Sequence, residues 1–85
     1  MRDTRQYKAR KMLIGMGITG ASGFTEKSLG AKPDRNRSIV QMVIFDGATL
    51  KSAGAAHGVS TEQARVVALG SVRRLTGKYQ TEQPE

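Results

Sequence analysis

Between Asp46 and Gly77 the chain reads D-G-A-T-L-K-S-A-G-A-A-H-G-V-S-T-E-Q-A-R-V-V-A-L-G-S-V-R-R-L-T-G, and its punctuation leaves little freedom of fold. Asp46-Gly47 is a turn dipeptide. The hydroxyl of Thr49 is placed to accept from the unpaired N–H groups at the start of a helix running to about His57. Gly58 ends that helix, since glycine enters the left-handed region without the steric cost that a Cβ brings. Val59 follows as a buried plug. Ser60-Thr61-Glu62-Gln63 then spells a capping box, the Ser60 hydroxyl reaching the Gln63 N–H and the Gln63 amide reaching back. A second helix therefore begins within three to four residues of the first. Its inward stripe is Ala64, Val67, Ala68, Ser71 and Leu75, and the small Ala64 and Ala68 allow close approach near Ala53 and Gly54. Its outward set is Thr61, Glu62, Arg65, Val66 and Leu69. This is the pattern of a helix-turn-helix, which presents the N-terminal end of its second helix to a DNA major groove. Two amphipathic helices packed for stability alone would carry the same stripes.

The residues before this stretch supply a third helix. Pro33 suits a first helical position and disfavours helix in the residue before it. Asp34 to Phe45 then reads as a helix with Ile39, Met42 and Val43 on one face and Val40 and Ile44 beside them. Within the last helix Gly70 costs about 1 kcal/mol relative to Ala, which a close approach of another helix or of a DNA backbone would explain. Gly77 stops that helix, with Arg73, Arg74 and Lys78 near its negative end. His57 falls on the inward side as a packed residue.

Charge narrows the partner. The 85 residues carry 14 Lys and Arg against 7 Asp and Glu, a net charge of +7, and so create a field that favours polyanions. Nucleic acid leads and an anionic membrane surface trails. In the first eleven residues Arg2, Arg5, Lys8, Arg10 and Lys11 stand against Asp3 alone, and a second basic set spans the helical part. An arm and a body follow from that division. The arm would lie along phosphates, enter the minor groove, or act only as a solubilising tail.

Composition removes most catalytic chemistry. There is no Cys and one His, so disulfides, thiolate metal sites and Cys nucleophiles are excluded, and the scattered carboxylates form no triad or metal site. No cofactor and no small-molecule ligand are expected. Met12 to Ile18 is too short and too interrupted by glycine for a secretory signal, and no stretch approaches about 20 consecutive apolar residues. Gly15-Met16-Gly17-Ile18-Thr19-Gly20 spells G-x-G-x-x-G, and the run G-I-T-G-A-S-G looks like the opening phosphate loop of flavin prenyltransferases. Such a loop needs a strand before it and a packed helix after it. Phe24 to Lys32 reads instead as a short polar stretch, so residues 12 to 32 are expected to form a flexible connector, with a short helix or strand possible around Gln6 to Ile14.

From Arg37 onward, R-S-I-V-Q-M-V-I-F-D-G-A-T-L-K-S-A-G-A-A-H-G-V-S-T-E-Q-A-R and the later S-V-R-R-L resemble region four of primary bacterial sigma factors. They also resemble the small TrfB/KorA-type plasmid repressors, which likewise place a D-G turn twelve residues before the glycine of the motif. The resemblance covers residues 35 to 76. It implies that Thr61, Glu62, Arg65 and Val66 occupy the base-reading places after Ser60. Glu62 and Arg65 match the sigma pattern in type, whereas Thr61 and Val66 stand where sigma proteins carry Arg and Gln. That difference favours a freestanding plasmid- or phage-type repressor in a bacterial cytoplasm, at the nucleoid.

The expected architecture is thus all-α. It comprises a basic arm and Gly-rich connector over 1–32, a three-helix helix-turn-helix domain over 33–78, and a disordered tail over 79–85. The expected function is transcriptional repression through sequence-specific binding of double-stranded DNA. Thr61, Glu62, Arg65 and Val66 would read bases, and Arg35, Arg37, Lys51, Ser60, Gln63 and Arg73 would hold phosphates or backbone. Arg2, Arg5, Lys8, Arg10 and Lys11 would form the arm. A homodimer is expected because the helical part alone is close to the size that needs association to fold, with Met12 to Ile18 or Val72 and Tyr79 as its surface. The alternative is a protein-interaction module that binds RNA polymerase or another transcription protein, and a further one is an enzyme fragment built on the glycine loop.

Overall fold

Three hydroxyl side chains fix where helices begin. Thr25 accepts from the Ser28 N–H at 3.2 Å, Thr49 from the Ser52 N–H at 3.0 Å, and Ser60 from the Gln63 N–H at 3.0 Å. Each satisfies a donor that the helix itself leaves unpaired. In the computed structural model, which describes residues 4–77 and the side chains from Gln6 onward, the elements are all helical. They are α1 (Thr4–Gly15), a 3₁₀ turn (Ala21–Gly23), α2 (Glu26–Leu29), α3 (Pro33–Val40) continued by a π-helical segment (Gln41–Phe45), α4 (Leu50–His57) and α5 (Thr61–Thr76). Arg2, Lys78 and the expected tail 79–85 lie outside the described residues.

Helix α5 is the axis of the molecule, because α1, α2, α3 and α4 all pack against it. It buries Ala64, Val67, Ala68, Leu69, Ser71 and Val72, an arc wider than a helix covered on one side would need. This corrects two expectations. Leu69 is 6% exposed and Val72 is at 0%, so Leu69 leaves the outward set and Val72 cannot serve as a dimer surface. The inward positions Ala64, Val67, Ala68 and Ser71 are buried as expected, and Leu75 packs at the edge of the core.

The link from α4 to α5 is as short as its residues demand. Gly58 adopts φ +69° and ψ +27°, and the N–H groups of Gly58 and Val59 both donate to the Gly54 carbonyl. Val59 then folds back against the core. Gly54 is required by proximity: a Cβ there would stand 2.6 Å from the Val59 carbonyl oxygen and 3.1 Å from that of Ser60. The turn lies directly on the helix it leaves.

The expected helix from Asp34 to Phe45 is present, with Ile39, Val40, Val43 and Ile44 buried and Met42 packed beside them. Its last five residues widen to π geometry, the Asp46 N–H donating to the Gln41 carbonyl at 2.9 Å. Gln41 also ties this segment to the chain before it. Its Oε1 accepts from the Ala21 N–H at 2.9 Å while its Nε2 donates to Asp46 Oδ1 at 3.0 Å.

The N-terminal third differs most from expectation. Residues 4–15 form a helix, one of the two alternatives for Gln6 to Ile14, instead of a free arm, and Ala9 and Leu13 are fully buried. Phe24 and Leu29, expected in a polar connector, are buried at 3% and 0%, and Phe24 meets Phe45 edge to face at 6.4 Å between ring centroids. Residues 4–32 therefore share one core with the rest, because burying a side chain such as Leu or Phe contributes about 1.5–3 kcal/mol, which offsets the entropy of ordering the backbone around it. The G-x-G-x-x-G run has no strand before it: it leaves the end of α1 and enters the 3₁₀ turn. That removes the nucleotide-loop reading.

Candidate nucleic-acid interface

With so much of α5 buried, the remaining strip is narrow and carries almost all of its charge. Thr61, Glu62 and Gln63 are exposed at its start, Val66 is 55% exposed, and Arg73 and Arg74 follow two turns on. Arg65, on the same side as Val66, is half-buried. Three of the four expected base readers thus lie fully open, and the fourth is partly sheltered. Ser60 and Gln63 are also exposed beside them, although the Ser60 Oγ already caps the helix.

Glu62 and Arg65 are paired with each other. The Arg65 Nε donates to Glu62 Oε1 at 3.3 Å and the Arg65 Nη2 donates to Glu62 Oε2. Their side chains are 31% and 68% exposed respectively, and an ion pair so open to solvent contributes about 0–1 kcal/mol. An ion pair of this strength holds Arg65 in place without locking it there.

Beyond Arg65 the strip becomes a cleft of about 250 Å³ lined by Arg65, Val66, Leu69, Gly70, Arg73 and Arg74. Arg74 is anchored there: its Nε donates to the Ser28 carbonyl at 2.8 Å, across 46 residues of sequence. Sequence reasoning placed Arg74 only at the negative end of the helix. The missed signal is spacing, since Arg65, Leu69 and Arg73 recur every four residues and put Gly70 and Arg74 on the adjoining ridge.

The other expected phosphate contacts divide. Lys51 is exposed at the start of α4. Arg37 is committed elsewhere, its Nη1 donating to the Ala21 carbonyl at 2.9 Å and the Phe24 carbonyl at 2.8 Å. Arg37 thus clamps the 3₁₀ turn onto α3. Arg35 is half-buried and its Nε donates to Asn36 Oδ1 at 3.0 Å, while Asn36 itself is buried and donates to the Leu29 carbonyl. Arg35, through Asn36, therefore serves the joint between α2 and α3. Of the expected arm, Lys8 and Lys11 are exposed and Arg10 is half-buried on α1. Arg10 and Lys11 stand 5.8 and 5.5 Å from the centre of the Tyr7 ring, an arrangement in which the ring face attracts a cation. Arg5 lies in the first turn of the same helix.

Among the described residues no group of three or more His, Cys, Asp or Glu side chains is placed to hold a metal ion, and no helix is long and apolar enough to cross a membrane. The chain matches no protein-family model, no curated protein and no solved structure.

Proposed function

We propose that the protein is a sequence-specific regulator of transcription that binds double-stranded DNA through α5 and acts as a repressor by occupying a promoter or operator. The observation that carries this reading is the α5 strip itself: a capped, open N-terminal end bearing Thr61, Glu62, Arg65 and Val66, followed on the same side by Arg73 and Arg74. The short Gly58–Ser60 turn and the exposure of Thr61, Glu62 and Gln63 support this reading, since a helix-turn-helix presents the N-terminal residues of its second helix to a major groove. Thr61, Glu62, Arg65 and Val66 read base edges, while Lys51, Ser60, Gln63 and Arg73 hold the backbone on either side. A net charge of +7 supports association with a polyanion. Two copies related by a two-fold axis would read two half-sites one helical turn apart, and Ile14 and Met16, each 49% exposed, offer the apolar surface for such a dimer.

Footprinting of the pure protein on DNA flanking its own coding region tests this reading, because small repressors commonly govern their own synthesis. A protected stretch that survives competition by random duplex supports it. Uniform or absent protection sinks it. A second reading, docking on RNA polymerase or another transcription protein, is favoured by Val66, whose apolar side chain is 55% exposed in the middle of the strip. Under that reading Val66→Ser abolishes capture of the polymerase while DNA binding stays weak and indifferent to sequence.

A further inference from the structure

Gly70 has no explanation inside the molecule. It lies in the interior of α5, where glycine weakens a helix. A Cβ placed there would meet only Arg74 Nη1, at 3.6 Å, an ordinary contact. Gly54 makes the contrast plain, since there the backbone of the turn occupies the space of a side chain. At Gly70 the space opens into the arginine-lined cleft.

The cleft has the character of a seat for one anion. At about 250 Å³ it falls below the size of pockets that enclose drug-sized ligands, and three arginines, Arg65, Arg73 and Arg74, line it together with Val66, Leu69 and Gly70. Guanidinium groups match the oxygens of a phosphate in planar, two-pronged fashion. The anchoring of Arg74 Nε on the Ser28 carbonyl at 2.8 Å fixes that group before any ligand arrives, which lowers the entropy lost on binding. Nη1 of the same group lies on the Gly70 side and Nη2 lies 3.6 Å from the Cβ position of Gly30, so the plane of the guanidinium spans the edge of the cleft.

We propose that Gly70 forms the floor of a phosphate seat, in which one backbone phosphate of the bound duplex rests against α5 between Arg73 and Arg74. The absent side chain lets the phosphate approach the helix closely enough to meet both guanidinium groups. This rests on the DNA reading above and adds to it: the seat sets how far α5 enters the groove and hence which base pair Arg65 meets. The seat reads no bases.

The test is Gly70→Ala, measured by thermal unfolding and by titration of a footprinted duplex over a series of salt concentrations. The variant is expected to unfold at the same or a higher temperature. Its affinity for the duplex is expected to fall about tenfold, with the slope of log affinity against log salt reduced by about one, the loss of one phosphate contact. A scan of duplexes bearing single methylphosphonates should find one position that weakens the wild-type protein and leaves Gly70→Ala indifferent. Unchanged affinity and slope in Gly70→Ala would overturn the seat and leave the DNA reading standing. A lowered unfolding temperature would overturn it as well, by showing that the fold itself needs the glycine. Failure of the wild-type protein to bind any duplex would instead sink the DNA reading beneath it.

Discussion

Glu62 accepts from the two Arg65 donors that the proposed base contact would use, and that balance is adjustable by one atom. Replacing Glu62 with Gln removes the charge of the ion pair and keeps the shape, so Arg65 is released at a cost of at most about 1 kcal/mol. Glu62→Gln is expected to strengthen binding to random duplex and to narrow the gap between specific and random affinities, measured by fluorescence anisotropy. Arg37 makes the opposite case. Its two bonds to the Ala21 and Phe24 carbonyls are charge-assisted, and hydrogen bonds of that kind contribute about 1.5–3 kcal/mol each. Arg37→Met should therefore lower stability in urea by about that amount or more while leaving the salt slope of DNA binding unchanged. A changed slope with unchanged stability would return Arg37 to the phosphate contacts. Ser71 is fully buried and its Oγ has no hydrogen-bond partner, so Ser71→Ala should raise stability by up to about 1–3 kcal/mol, the desolvation cost of an unsatisfied hydroxyl. The roles of Thr49, Gly58 and Ser60 were legible in the sequence because each acts on residues next to it. Those of Arg37 and Arg74 were not, because their carbonyl partners lie far away in the chain and carry no sequence signature.

At the scale of elements, α1 and the end of α3 separate local from tertiary causes. Helix α1 has no acidic residue in its first turn and no basic residue in its last, but Arg5, Gln6, Lys8, Ala9, Arg10, Lys11, Met12 and Leu13 are all good helix formers. It is held by Ala9 and Leu13, both fully buried, while Met12 packs at the core edge. Propensity and tertiary burial act together here, since a helix this short is marginal without packing. The glycines at 15, 17, 20 and 23 signalled a connector, yet the chain there is fastened by Arg37 and by Gln41, whose Oε1 accepts the Ala21 N–H. Leu13→Ala is expected to cost about 2–5 kcal/mol, read from denaturant unfolding. A loss below 1 kcal/mol would mean that α1 is only loosely attached. The basic residues of α1 must therefore be tested by substitution, since deleting them would unfold the core. Lys8→Gln with Lys11→Gln should weaken binding to every duplex alike and leave site preference untouched. The three helices α3, α4 and α5 were legible, including all four buried apolar residues of α3 and its π extension, Ile39, Val40, Val43 and Ile44. The burial of Leu69 was not, because periodicity gives the direction of a face and not the number of helices that cover it.

For the molecule as a whole, one core runs from Ala9 to Val72, which removes the argument that the helical part is too small to fold without a partner. Dimerisation then rests only on what DNA recognition needs. Sedimentation at increasing protein concentration, with and without a footprinted duplex, is expected to give two copies per duplex on a two-fold symmetric site. One copy on an asymmetric site would remove the dimer and leave a monomeric reader. The central claim, that the exposed strip of α5 reads DNA sequence, is tested most directly by titrating wild-type protein and Arg65→Ala against a footprinted duplex and its scrambled counterpart at one salt concentration. Arg65→Ala should lose about 1–3 kcal/mol on the footprinted duplex, with relaxed preference at one base pair and little change on the scrambled one. Equal affinities of the two proteins for both duplexes would contradict the account.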